Sequence, residues 1–139
     1  MRGRSFSTPR ILVLGACLGS VACGGAGTGP DSALPECTGT VTVQVTAGTQ
    51  PTITWAPRCR AFLLVVESAA TGHDSWSITS PGTNGLSPDV LYGHVPSGAT
   101  PGPVSEALVP GQAYVVALRR FTSPGPDDGV LLGSTTFTP

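Results

Sequence analysis

The segment LVPGQAYVVAL, residues 108–118, combines a turn with the beginning of a strand. Its proline–glycine pair predicts a tight turn, because proline fixes one backbone angle and glycine tolerates the unusual one that follows. Beyond the turn, Tyr114, Val116 and Leu118 recur at every second position, which indicates a strand with these side chains on one face. A tyrosine just after such a turn predicts a tyrosine corner, whose hydroxyl bonds to the backbone a few residues upstream.

Alternating and apolar runs on both sides of this segment predict a strand-rich domain. The run at 61–67 is apolar at every position except its last, which is typical of a central strand covered on both faces. No run after residue 22 has a helical period, so we expect a seven-stranded antiparallel Greek-key sandwich. The predicted strands are 40–46, 52–55, 61–67, 75–80, 104–108, 113–121 and 130–138.

The chain resembles the fibronectin type III family at two places. Leu108, the proline–glycine turn and Tyr114 occur in the order in which that family opens its sixth strand. Trp55 ends the second predicted strand, two residues after Ile53, as a core tryptophan does in the same family. The resemblance covers roughly residues 37–138 and implies the sandwich fold. It implies nothing about activity, because such a fold carries many unrelated functions.

The first 22 residues have the composition of a secretory signal peptide. Residues 1–10 contain three arginines and no acidic residue, and residues 11–22 are apolar but too short to span a bilayer as a helix. Small residues precede Cys23, and at this point the sequence resembles a bacterial lipoprotein. The resemblance implies that Cys23 is diacylated and becomes the mature N-terminus, followed by a flexible tether that ends at residue 36.

The lipidation signal departs from the family pattern at one position. The family prefers leucine three residues before the cysteine, whereas this chain has Ser20. Leu14 has that spacing from Cys17, but cleavage there would leave a very short apolar region, so Cys17 stays the alternative anchor. Gly24 in place of aspartate implies, by the family's sorting pattern, the bacterial outer membrane. A plain signal peptide followed by an unmodified Cys23 is the remaining interpretation.

The number of cysteines favours Cys23 as the anchor. Its lipidation leaves Cys37 and Cys59, an even pair in an oxidising compartment, whereas either alternative leaves three cysteines. Cys37 and Cys59 flank the first predicted hairpin at nearly equal distances from its turn, and the outer ends of paired antiparallel strands lie side by side. We therefore predict a disulfide between them rather than a metal site, for which further ligands are lacking.

Charged residues make up 11% of the chain, and all of its basic residues except histidine are arginines. From Cys23 onward four arginines stand against eight carboxylates, a formal charge of −4. This acidic balance, without a basic stripe, excludes nucleic acid as a partner. It also provides no attraction to anionic lipid, so we expect contact with the membrane through the lipid anchor.

Candidate ligand contacts come from the less regular parts of the domain. Residues 81–103 are rich in proline and glycine, and we expect them either to cover an open sheet edge, with Leu91 and Tyr92 as plugs, or to carry function. Trp76 lies on a predicted edge strand, where we expect it to be exposed. Asp127 and Asp128 lie on the last hairpin loop, which often carries ligand contacts in the fibronectin type III family. The family topology places that loop at the end where the tether enters.

No motif in the chain predicts catalysis, a metal site or a cofactor. His73, Asp74 and Ser75 include the residue types of a hydrolytic triad, but consecutive residues cannot form its spatial relay. We therefore predict a lipid-anchored, non-catalytic binding or structural module of the envelope, with an envelope protein or a glycan as partner. Two alternatives stay open: a small envelope hydrolase with its site in residues 81–103, and an accessory subunit that pairs through an open edge strand.

Overall fold

The structure is a computed structural model that describes residues 34–123 and 129–139. The described residues form eight strands and no helix, so the predicted all-β class is confirmed, with one strand more than expected. Nothing in these two ranges is a helix long and apolar enough to cross a membrane. The strands are β1 (Thr42–Val45), β2 (Thr52–Ala56), β3 (Leu63–Ser68), β4 (Asp74–Thr79), β5 (Val90–Leu91), β6 (Thr100–Ser105), β7 (Tyr114–Arg120) and β8 (Val130–Phe137).

The strands form two antiparallel sheets. The smaller sheet has the order β1-β2-β5, and the larger has the order β6-β4-β3-β7-β8. β3 lies in the middle of the larger sheet, so the prediction of a central strand at 61–67 is confirmed. Its register places Val66 opposite Trp76 on one side and opposite Val116 on the other. These three side chains share the inner face, because directly paired residues point to the same side of a sheet.

The core lies between the inner faces of the two sheets. Its largest side chains are Trp55 from the smaller sheet and Trp76 from the larger, each only 1% exposed. Trp55 is the core residue that the sequence predicted, and its Nε1 atom donates a 2.8 Å hydrogen bond to the carbonyl oxygen of Cys59. This bond satisfies the one polar group of the indole. Burying a large apolar side chain stabilises a fold by roughly 1.5–3 kcal/mol, so both tryptophans contribute substantially to the attraction between the sheets.

Residues 81–103 are more regular than their prolines predicted. They contain β5, which pairs with β2, and most of β6, which pairs with β4. β6 begins four residues before the predicted strand at 104–108, shares only residues 104 and 105 with it, and includes Pro101 and Pro103. A strand can hold prolines when one of its sides is an open edge, because the missing N–H groups then need no partner.

β4 is consequently an inner strand of the larger sheet, and the prediction that it forms the edge is wrong. The prediction that Trp76 is exposed is also wrong, since its side chain faces the core. The ring of Tyr92 packs on it, with the two ring centroids 5.1 Å apart. Tyr92 is itself buried, as expected of a plug, whereas the prediction that Leu91 is a second plug is wrong, since its side chain is 43% exposed. A ligand therefore has no access to Trp76 in this structure.

The predicted tyrosine corner is present. The N–H group of Val109 donates a 2.9 Å hydrogen bond to the hydroxyl oxygen of Tyr114, whose side chain is buried. The Tyr114 ring packs against that of Phe137 on β8, with centroids 5.8 Å apart. Gly111 allows the turn because its φ angle of +81° would strain a residue that has a Cβ atom. The corner fixes the loop between β6 and β7 to the end of the sandwich.

Tyr114→Phe keeps the buried ring and removes only the hydroxyl. We expect it to lower the free energy of unfolding by about 1–2 kcal/mol, because the N–H group of Val109 loses its partner. Urea denaturation followed by tryptophan fluorescence measures the change. Val109→Ala is the control, since the Val109 side chain is 53% exposed and its backbone N–H group stays. An equal loss in both variants would contradict the role given to the hydroxyl.

Candidate functional site

The two ends of the sandwich differ in what they connect, and we name them by their residues. The cysteine end contains residues 34–41, the loop after β2, the residues just after β4 and residues 121–123 after β7. The tyrosine end contains the β1–β2 turn, residues 92–94 and the loop between β6 and β7. Each end has its own cavity and its own set of fixing bonds.

A disulfide holds the segment before β1 at the cysteine end. Cys37 and Cys59 are joined with a sulfur–sulfur distance of 2.07 Å, which confirms the predicted pair, and both are buried. The N–H group of Arg60 donates to the carbonyl oxygen of Pro35 at 2.8 Å. The N–H group of Cys37 donates to the carbonyl oxygen of Arg60 at 2.9 Å. The segment is thus attached directly to the loop after β2.

Asn84 joins three parts of the cysteine end. Its side-chain nitrogen donates to a carboxylate oxygen of Glu36 at 3.1 Å and to the carbonyl oxygen of Phe121 at 3.3 Å. Its side-chain oxygen accepts a 2.7 Å hydrogen bond from the N–H group of Phe121. Since Glu36 precedes β1 and Phe121 follows β7, the segment before β1 and the start of the last hairpin loop lie at the same end.

Arg58 and Asp89 form an ion pair at the cysteine end, with an N–O distance of 2.6 Å. The hydrogen bond from Arg58 lowers the pKa of the Asp89 carboxyl group, and a hydrogen bond from Thr54 adds to this effect. The two side chains are 51% and 53% exposed, so the pair contributes little to stability. Its structural effect is to connect the loop after β2 with the residue before β5.

The tyrosine end contains a groove of about 430 Å³ between the β1–β2 turn and the residues that follow β6. Thr49 and Gln50 line one wall, Ser105 and Glu106 line the other, and Tyr92 lies between them. The volume is in the range of pockets that hold small molecules. A smaller cavity of about 330 Å³ lies at the cysteine end, beside the disulfide.

Tyr92 is bonded to Glu106 in one wall of the groove and to Pro51, the residue that follows Gln50 of the other wall. Its N–H group donates to the carbonyl oxygen of Pro51 at 2.9 Å, and its hydroxyl donates to the carbonyl oxygen of Glu106 at 2.7 Å. Burial raises the pKa of this hydroxyl to about 12, and the charges of Tyr114 and Glu106 act in the same direction. The floor of the groove is therefore a protonated tyrosine at neutral pH, fixed in place by hydrogen bonds.

The rim of the groove is polar and exposed. Four of its side chains make no hydrogen bond or ion pair within residues 34–123 and 129–139: Thr49, Gln50, Ser105 and Glu106. Leu108, at the bottom, is buried beside Tyr92.

Several predicted site residues lie outside the described residues. These are Cys23, its alternative Cys17, Asp127 and Asp128. Of the predicted ligand contacts that the structure does describe, Trp76 is buried in the core, whereas Tyr92 forms the floor of the groove.

Sequence patterns missed the groove because its walls are distant along the chain. Gln50 belongs to the first turn and Glu106 to the strand predicted at 104–108, and nothing in either stretch indicates that the two lie near each other. The one signal was Tyr92, a large aromatic residue in a proline-rich segment. It predicted a plug but gave no indication of the space beside it.

No group of three or more histidine, cysteine, aspartate or glutamate side chains in the described part of the chain could hold a metal ion. No protein-family model, curated protein or solved structure matches the chain. A function therefore has to be inferred from its own residues and geometry.

The disulfide should be a large contributor to stability. Cys37 and Cys59 are separated by 22 positions, and a cross-link over a loop of this size stabilises by roughly 3 kcal/mol in the chain-entropy model. We expect Cys37→Ser/Cys59→Ser to lose about 3 kcal/mol in urea denaturation. A reductant should destabilise the native chain to a similar extent and leave the double variant unchanged. A native chain that keeps its stability on reduction would disprove this role.

The raised pKa of Tyr92 predicts a loss of stability at high pH. Its folded value of about 12 lies above the ordinary value of 10.0, so the neutral form is favoured by folding. This stabilisation is complete below pH 10 and disappears as the pH rises through 12. The chain has two tyrosines, so absorbance at the tyrosinate band should show a step near pH 12 that Tyr92→Phe removes. Persistence of that step in the variant would refute the assignment.

Proposed function

We propose that the chain is a bacterial lipoprotein whose folded part is a non-catalytic binding or structural module of the cell envelope. A signal peptide of residues 1–22 is removed, Cys23 carries the lipid, and the tether that follows connects the domain to the outer membrane. The observation that carries this proposal is the disulfide between Cys37 and Cys59. With these two cysteines paired, lipidation of Cys23 leaves the mature chain without a free thiol in an oxidising compartment.

A fibronectin type III-like fold is part of the proposal. The buried Trp55 at the end of β2 and the corner formed by Tyr114 at the start of β7 both support it. So does the strand order, since β8-β7-β3-β4 facing β1-β2-β5 is the arrangement expected of an immunoglobulin-like sandwich, with β6 added at one edge. The return of β7 to lie beside β3 is consistent with a Greek key.

The geometry of residues 81–103 gives little support to a hydrolase. Asp89 is paired with Arg58 at the cysteine end, whereas Tyr92 lies at the other end with its hydroxyl bonded to a backbone carbonyl. His94 is exposed and lies near Tyr92 along the chain. A hydrolytic site needs an acid, a base or a nucleophile that converge on one reacting atom, and these groups are dispersed.

The sheet edges favour contacts through loops or a groove over pairing with a partner strand. β6 forms one edge of the larger sheet, and Pro101 and Pro103 deprive it of N–H donors. β8 forms the other edge, where the N–H group of Val41 donates to the carbonyl oxygen of Leu132 at 3.1 Å. Gly133 permits this approach, because a Cβ atom there would collide with the carbonyl oxygen of Val41. Strand addition needs a longer row of free backbone groups.

The anchor is tested by the intact mass of the protein extracted from membranes. We expect a chain that begins at Cys23, carries a diacylglyceryl group and gains the mass of two hydrogen atoms on reduction. The Cys23→Ser protein should no longer be found in the membrane fraction. The Cys17→Ser protein, the matched control, should stay in that fraction. A chain that begins at an unmodified Cys23 in the soluble fraction would overturn the lipoprotein proposal.

A further inference from the structure

The only asparagine of the chain, Asn84, is followed by a glycine, Gly85. This pair is chemically labile. The backbone nitrogen of a glycine can attack the side-chain carbonyl carbon of the asparagine before it, because glycine has no side chain to hinder the approach. The cysteine end is thus built around a bond sequence that is prone to deamidation.

Deamidation at this pair proceeds in two steps. In the first, the backbone nitrogen of Gly85 forms a bond to the Cγ atom of Asn84 and gives up its proton, and ammonia leaves, so that a succinimide ring closes. In the second, water adds to one of the two ring carbonyl groups and the ring opens to aspartate or isoaspartate. One water molecule is consumed and one ammonia is released, and no oxidant or cofactor is required.

The fold holds the Asn84 side chain in its unreacted arrangement. The residue is 6% exposed, and its amide makes three hydrogen bonds, one to the Glu36 carboxylate and two to the backbone of Phe121. Ring closure makes Cγ tetrahedral and expels the nitrogen that donates two of these bonds. The hydrogen bonds must therefore break before the reaction, and the folded state opposes it.

The packing at this end also requires the glycine. A Cβ atom at position 85 would collide with the hydroxyl oxygen of Ser80. That hydroxyl is itself fixed by a 2.9 Å hydrogen bond with the Thr83 hydroxyl. The hydrogen bonds thus need an asparagine at position 84 and the packing needs a glycine at position 85. The two requirements together create the labile pair.

We propose that Asn84 is a deamidation site that the folded chain protects, and that its reaction in an opened chain prevents the cysteine end from closing again. A carboxylate has no hydrogen to donate, so after the reaction two oxygen acceptors, from Glu36 and Phe121, would face a third. The isoaspartate product also adds one atom to the backbone just before Leu86. The N–H and carbonyl groups of Leu86 bond to Ala61 at 2.9 and 2.8 Å, and this pairing would be displaced.

The protection is tested by the rate of deamidation at mildly alkaline pH, measured by peptide mass and isoaspartate content. We compare the folded chain, with its disulfide intact, and the reduced and alkylated chain in urea. Asn84 should react at least about 10-fold more slowly in the folded chain, because the reactive arrangement needs local opening. Gly85→Ala, compared in urea where packing has no effect, should slow the reaction several-fold.

The consequence of the reaction is tested with Asn84→Asp, which makes one of the two products directly. We expect this variant to unfold at a lower urea concentration than the native chain. Adding Glu36→Gln should restore part of the loss, because an amide at position 36 donates to the new carboxylate. Glu36→Gln alone is the matched control and should leave the urea midpoint nearly unchanged, since its amide oxygen still accepts from Asn84.

The two measurements decide the two halves of the proposal. Equal rates in the folded and unfolded chains, or equal rates for Gly85 and Gly85→Ala in urea, would overturn the protected site. An unchanged urea midpoint for Asn84→Asp would overturn the effect on the cysteine end.

Discussion

The burial of two tryptophans between facing sheets is the constraint on which the rest of this structure depends. A core packed as densely as an organic crystal needs neighbours that fit each indole and exclude water from it. For Trp55 one such neighbour is the loop with Cys59, whose carbonyl oxygen accepts the indole N–H group. For Trp76 it is Tyr92, which packs on the ring from the segment that joins the two sheets. Each tryptophan therefore organises one end of the sandwich.

This arrangement gives each end of the sandwich its own fixing contacts. The loop that accepts the indole hydrogen bond of Trp55 also carries the disulfide to Cys37. The same few residues therefore close the core and hold the segment before β1. Tyr92, which packs on Trp76, also makes the hydrogen bonds to Pro51 and Glu106 that fix the two sides of the groove. The segment before β1 and the groove then lie at opposite ends of the strands.

The sequence predicted the features that depend on neighbouring residues. The corner at Tyr114 follows from a turn and a strand that are contiguous, and the disulfide follows from the near-symmetric placement of two cysteines about one hairpin. Features that depend on distant residues were missed. Whether a proline breaks a strand depends on which side of that strand is open, and this decided both the strand at Pro101 and the burial of Trp76. The groove likewise needs two loops that only the sheet topology brings together.

Tyr92 links the stability of the domain to the shape of the groove in a way that the rim side chains do not. Its ring fills the core beside Trp76, and its hydroxyl, whose pKa burial raises to about 12, donates to the carbonyl oxygen of Glu106. A change at Tyr92 therefore affects the fold and the groove together. The side chains of Gln50 and Glu106 are exposed and make no hydrogen bond or ion pair to the described parts of the chain, so substitutions there should cost little stability.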